Sequence, residues 1–141
     1  MIVNRRTQVS VARESRATIV IVNGDETERA RLAKIADAAG HRVVLASARE
    51  VLQHLAPPLR TVLVIDSDID VKPHHNLDLI DALHERGVYL PTLVTIPPYG
   101  ITDAVDALRR NATDILEQPL ASSHFLHSID AALQKRHRPG A

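Results

Sequence analysis

Residues 61–70 read TVLVIDSDID: four consecutive apolar residues, 62–65, run straight into acids at alternate positions, Asp66, Asp68 and Asp70. An unbroken apolar run of this length is the pattern of a strand buried on both faces, since a half-exposed strand would alternate apolar with polar residues. The run ends on a carboxylate. Whether Asp66 is a working acid at the mouth of a sheet, or only the solvated start of a loop, depends on what surrounds it.

Outward from this run the same unit recurs. Upstream, TIVIV (18–22) is a second continuous β-branched run. Asn23 and Gly24 break it, Asp25 and Glu28 have the spacing of a capping box, and Leu32, Ile35, Ala36 and Ala39 recur at helical intervals until Gly40. RVVLA (42–46) is a further strand. Ser47 and Glu50 form another capping pair, opening a helix with Val51, Leu52 and Leu55 on its apolar side and ending before Pro57 and Pro58. Downstream of Asp66 come a polar loop, a helix with Leu77, Ile80 and Leu83, and the strand PTLVTI (91–96). A helix over 102–110 should turn Ala104, Val105 and Leu108 inward; TDILE (113–117) is the fifth strand; Phe125, Leu126, Ile129 and Leu133 line the last helix. Five strands alternating with five helices predict a doubly wound α/β fold, one parallel sheet with helices on both faces. Ligands of such sheets bind outside the carboxyl ends of the strands, and Asp66 stands at one of those ends. The pattern tilts Asp66 toward function.

Composition sets the outer limits. The chain has 141 residues, 45% hydrophobic and 24% charged, the profile of one globular domain. It contains no cysteine, which excludes disulfides, thiol catalysis and cysteine-ligated metals. No apolar run approaches the roughly 18 residues of a membrane span, and no signal-peptide core is visible, so the expectation is a cytoplasmic protein without membrane contact. Charge is unevenly placed. Residues 1–17 carry Arg5, Arg6, Arg13 and Arg16 against Glu14, and residues 135–141 carry Lys135, Arg136 and Arg138. The expected organisation is a flexible basic arm (1–17), a folded body (18–134) that is net acidic, and a basic tail (135–141). Basic ends raise the idea of nucleic-acid contact, but three aromatic residues in all offer little base stacking. His74 and His75 near the acids have no convergent partner at metal-ligand spacing. Ser122 and Ser123 read as a helix cap rather than a nucleophile, and Gly24 is a lone glycine, not a phosphate loop.

The strand mouths offer Asn23, Gly24 and Asp25, then Asp66, then Thr95 and Ile96, then Glu117 and Gln118 before Pro119. With "IVIVNGDE", "VLVID" and "DAVDALRRNATDILEQPL" in order, and with 30 residues from Asp66 to Ile96 and 22 from Ile96 to Gln118, the chain resembles the receiver domains of two-component response regulators. The resemblance runs from about Thr18 to Leu133. It implies a flavodoxin-like (βα)5 fold and makes Asp66 the phosphoacceptor, served by Mg2+ and by a histidine kinase. Carried over residue by residue, it puts Asn23 and Gly24 where an acid pair would hold the metal, leaving Asp25, Asp66 and Asp68 as candidate metal ligands. It puts Ile96 at the phosphoryl-contacting hydroxyl position and Gln118 at the lysine position. Ile115 takes the aromatic switch position, and Gln118-Pro119 the peptide that is usually cis.

The helpers are thus replaced while the acceptor is kept. Losing one preorganised donor typically costs on the order of 10²–10³ in rate. The resemblance therefore implies a non-enzymatic receiver module with an impaired site that works through protein contacts, by a homodimer or partner surface over residues 102–136. Two rivals stand beside it. One is an active single-domain regulator phosphorylated on Asp66 by a histidine kinase. The other is a regulator that touches nucleic acid through the basic arm.

Overall fold

The computed structural model describes residues 17–54, 60–67 and 77–134. The basic tail, all of the arm but Ala17, Leu55 and the loop with Asp68, Asp70, His74 and His75 lie outside the described residues. The elements alternate as expected: β1 (Thr18–Val22), α1 (Glu26–Ala38), β2 (Arg42–Leu45), α2 (Ala48–His54), β3 (Thr61–Asp66), α3 (Asp78–Glu85), β4 (Thr92–Ile96), α4 (Ile101–Arg109), β5 (Asp114–Glu117) and α5 (Ser122–Gln134). All neighbouring strands pair in parallel, in the order β2-β1-β3-β4-β5. The order reverses direction beside β1, between β1 and β3, where open α/β sheets of this kind leave a crevice. This is a flavodoxin-like (βα)5 sheet, the parallel sheet that the alternation predicts and the fold that the resemblance implies.

The faces of the sheet build two cores. Ile19, Ile21, Val62, Val64, Leu93 and Leu116 point to one side and pack on Leu32 and Ala36 of α1 and on Phe125, Ile129 and Ala132 of α5. Val20, Val22, Leu63, Ile65, Val94 and Ile96 point to the other and pack on Val51 of α2, on Leu79, Ile80 and Leu83 of α3, and on Ala107 of α4. Every residue of β3 is buried, which accounts for the unbroken apolar run. Each fully buried aliphatic or phenyl side chain adds about 1.5–3 kcal/mol relative to exposure. Edge strand β2 is covered less completely, and Val44 and Leu45 are exposed.

Local chemistry closes the helices where the sequence predicts. The Glu28 amide donates to Asp25 Oδ1 at 3.1 Å. The Ser47–Glu50 box is complete, with the Glu50 amide on Ser47 Oγ at 3.1 Å and the Ser47 amide on Glu50 Oε1 at 3.0 Å. Gly40 and Gly87 take positive φ (93° and 75°) just past α1 and α3, where a side chain would strain the backbone. Gln118-Pro119 is cis, as the resemblance implies. The buried His41 ties the start of β1 to the end of α1, its Nδ1 accepting the Ala17 amide at 3.1 Å.

Two expectations need correction. Ala39 is not on the inner side of α1; it is the exposed C-cap, one step beyond the helix. In α4, Ala104 is partly buried as expected, but Val105 is 42% exposed and Leu108 60% exposed, with Ile101 at 74% beside them. The inner stripe is Asp103, Ala107 and Arg110. Asp103 accepts a hydrogen bond from Ser67 at the end of β3. Arg110 Nη1 reaches Asp78 at 2.6 Å and Asp81 at 3.1 Å on α3, and its Nε reaches Asp106 at 3.1 Å. Small and polar side chains set the rotation of this helix, so its larger apolar residues turn outward. Among the described residues, no helix is long and apolar enough to cross a membrane.

Candidate functional site at the carboxyl ends of the strands

The parallel register gathers the site. Val22 pairs with Ile65, so Asn23 is the lateral neighbour of Asp66, and Asp66 itself pairs with Thr95. Asp66 is only 5% exposed. Thr95 Oγ1 donates to Asp66 Oδ1 at 3.3 Å, a bond strengthened by the carboxylate's charge and by burial. The next residue continues the anchoring. The Ser67 amide donates to the Thr95 carbonyl at 2.9 Å, and Ser67 Oγ donates to Asp103 Oδ2 in the first turn of α4 at 3.2 Å. Asp66 is a buried acid at a sheet mouth. It is not a solvated loop residue.

The end of β1 is tied up by its own turn. Asn23 is buried, and its Oδ1 accepts the Asp25 amide at 2.7 Å, an Asx turn that delivers the chain into α1. Gly24 and Asp25 are exposed, and Asp25 Oδ1 caps α1 through the Glu28 amide. The Asn23 carbonyl accepts from Nη1 of Arg29, one turn into α1, at 3.1 Å.

Strand alternation separates the other positions. Asp66 and Thr95 follow Val64 and Leu93 on the α1/α5 face, whereas Ile96 packs with the core on the opposite face, where Ile115 also lies. Ile96 is thus a core residue on the far side of the sheet from Asp66. The hydroxyl that reaches Asp66 comes from the preceding residue, Thr95. Gln118, half-buried, follows the last residue of β5, and its amide donates to the Ile96 carbonyl at 2.9 Å. Arg31 braces the neighbouring loop, bonding Glu28 at 2.6 Å and the Leu120 carbonyl at 2.8 Å. A shallow cleft lined by Arg60, Asp130, Leu133 and Gln134 opens at the amino end of β3, away from Asp66.

Mg2+ requires near-octahedral oxygen ligands and is usually held by one or two carboxylates. At this mouth the described donors are Asp66, an Asn23 amide oxygen and carbonyl that already accept hydrogen bonds, and an Asp25 that caps a helix. No group of three or more His, Asp or Glu converges among the described residues. Of the three candidate ligands, Asp66 is at the mouth, Asp25 is engaged in the cap, and Asp68 lies outside the described residues. The described donor set does not fit Mg2+.

Residue patterning passed over two contributors and left a third undecided. Ser67 and Arg29 have no sequence signal of their own, because each acts by a bond to another element. Thr95 was legible as one of two candidates at the end of β4, and only the register with Asp66 selects it over Ile96.

No protein-family model matches the chain. It is 29% identical over 124 residues to the C4-dicarboxylate transport transcriptional regulatory protein DctD of Pseudomonas aeruginosa, covering 87% of this chain and 26% of that protein. It is 24% identical over 115 residues to the transcriptional regulatory protein FixJ of Rhizobium meliloti, covering 82% and 56%. The chain thus spans between about a quarter and just over half of the length of these curated relatives. Among solved structures, FixJ-N superposes with a TM-score of 0.78 at 24% identity, covering 86% of this chain and 97% of that one. NtrX of Brucella abortus superposes at 0.75 with 25% identity, covering 84% and 28%. A response regulator receiver protein from Pseudoalteromonas atlantica superposes at 0.72 with 24% identity, covering 82% and 96%.

Proposed function

We propose that the chain is a response-regulator receiver domain of two-component signalling, like the relatives it matches, and that it signals through protein contacts while its phosphorylation site is impaired. One observation carries the reading. The strand-end positions that would hold a divalent ion and a fixed lysine carry Asn23, Gly24 and Gln118, which bring no charge to the mouth around Asp66. Phosphoryl transfer depends on positioning and on neutralising charge that develops in the transition state. Asp66 is kept, but the groups that would neutralise an incoming phosphoryl are not. The reading is of a signalling module rather than an enzyme. Its partners would be a histidine kinase, another signalling protein, or a second copy meeting it through residues 102–136.

A second reading has its own support. Thr95 Oγ1 already lies on Asp66 Oδ1, so the mouth retains one hydroxyl despite Ile96, and an acid with a hydroxyl partner is the start of an acceptor site. Acetyl phosphate with Mg2+ separates the two readings, with phosphoaspartate quantified over time and Asp66→Asn as the blank. We expect incorporation at least about 10²-fold slower than in a variant carrying Asn23→Asp, Gly24→Asp, Gln118→Lys and Arg29→Met, the last removing the fixed positive charge beside the restored acids. Incorporation in the wild type well above the Asp66→Asn blank and as fast as in that variant would make Asp66 an active acceptor and sink the impaired-site reading. The nucleic-acid reading concerns the arm, which lies outside the described residues.

A further inference from the structure

Arg29 places a cation against the strand end where the resemblance would put an acid pair. It sits one turn into α1, and its Nη1 is anchored on the Asn23 carbonyl at 3.1 Å. Asn23 adjoins Val22, the register partner of Ile65, so the guanidinium is fixed at the strand end that flanks Asp66. A guanidinium stays charged at any physiological pH, and hydrogen bonding to a carbonyl fixes where that charge sits.

Two features of the same turn make this more than an incidental surface bond. Gly24 has φ outside the left-handed region, and a Cβ there would meet nothing within 4 Å. An acid at this position is therefore sterically allowed, and packing gives no reason for its absence. The Asn23 side chain makes the Asp25 turn through its oxygen, a bond that an aspartate oxygen would make equally well. Neutral residues stand where acids would fit, beside an arginine that binds the Asn23 carbonyl. A divalent cation and a guanidinium held a few ångströms apart in a partly buried mouth repel strongly.

We propose that Arg29 is the resident cation of the Asp66 site, a positioning residue that takes the place of the divalent ion and excludes it. This deepens the impaired-site reading and rests on it for its biological meaning, but it makes a separate claim about metal. Charge at the mouth is supplied by the chain itself, so the conformation around Asp66 does not respond to Mg2+.

The test is paramagnetic broadening of amide NMR signals by Mn2+ on the full chain, with dispersion of the spectrum and thermal unfolding as folding controls. In the wild type, residues 23–25 and 66–67 should broaden no more than exposed carboxylates elsewhere. Asn23→Asp with Gly24→Asp and Arg29→Met, which keeps an aliphatic stem, should gain selective broadening at those residues. The same acid pair with Arg29 retained should bind Mn2+ at least about tenfold more weakly, and Arg29→Lys should behave like the retained arginine. Selective broadening in the wild type overturns the proposal, as does equal affinity of the two acid-restored proteins. Metal binding without phosphorylation would overturn this inference and leave the impaired-site reading standing. Rapid phosphorylation with no metal bound would do the reverse.

Discussion

A buried carboxylate must have its oxygens satisfied, or folding loses the hydration it gave up. Asp66 meets that demand in part through Thr95 Oγ1. Thr95→Val keeps the shape and removes the donor, so it should lower stability by about 1–2 kcal/mol in urea unfolding. The loss should shrink sharply in an Asp66→Ala background, where there is no acceptor to leave stranded. A full-sized loss in that background would take this bond out of the account of Asp66. At this scale the sequence made the acid itself legible, because an apolar run ending on Asp is unusual enough to be noticed. Its partner was not, because Thr95 and Ile96 are one residue apart and the choice between them is a choice between opposite faces of a sheet.

Helix ends were the most legible elements. Asp25, Ser47 and Gly40 act through bonds and backbone angles within a few residues of themselves, so no tertiary information is needed to place them. The rotation of α4 was the least legible. It is set by Ser67 and α3, which are distant in sequence and reach Asp103 and Arg110. Arg110 shows the electrostatic side of that docking. Burial pulls its basicity down, but the hydrogen bonds it donates to Asp78 and Asp106 and the charges of Asp106 and Asp81 more than compensate, leaving its pKa raised. A raised value on a cation gives stability that is present at lower pH and lost only as pH rises through the folded pKa, far above neutrality. Arg110 itself therefore adds no pH dependence to stability near pH 7. Arg110→Met, which preserves the stem, should cost about 1–2 kcal/mol, and high salt should reduce the difference. Urea unfolding at low and high NaCl measures both, and no loss at low salt would show that α4 is held by Ala107 and Asp103 without the ion pairs.

For the whole molecule, the consequence of that rotation is a surface. Ile101, Val105 and Leu108 form an exposed apolar stripe on α4, with exposed Tyr99 just before the helix, inside the segment proposed for partner contact. Val105→Glu with Leu108→Glu should leave unfolding free energy within about 0.5 kcal/mol, as surface changes do. The wild type is expected to self-associate through this stripe, with sedimentation that depends on concentration, and the double variant is expected to sediment as a monomer at every concentration. Identical sedimentation of variant and wild type would remove this stripe as the contact between copies. By itself the sequence determined the number and order of the elements, the parallel sheet and the place of Asp66 at a strand mouth. These follow from local periodicity, capping and strand-end position, whereas the replaced acid pair is what the resemblance to receiver domains implies. Only the tertiary structure decided that Thr95 rather than Ile96 serves Asp66, that Arg29 reaches the end of β1 and that α4 turns its large apolar residues to solvent. The choice of Thr95 depends on strand register and the rotation of α4 on bonds to distant segments, of which residue order carries no local trace, and Arg29, though close to Asn23 in sequence, meets its carbonyl only because of how α1 leaves the turn after β1.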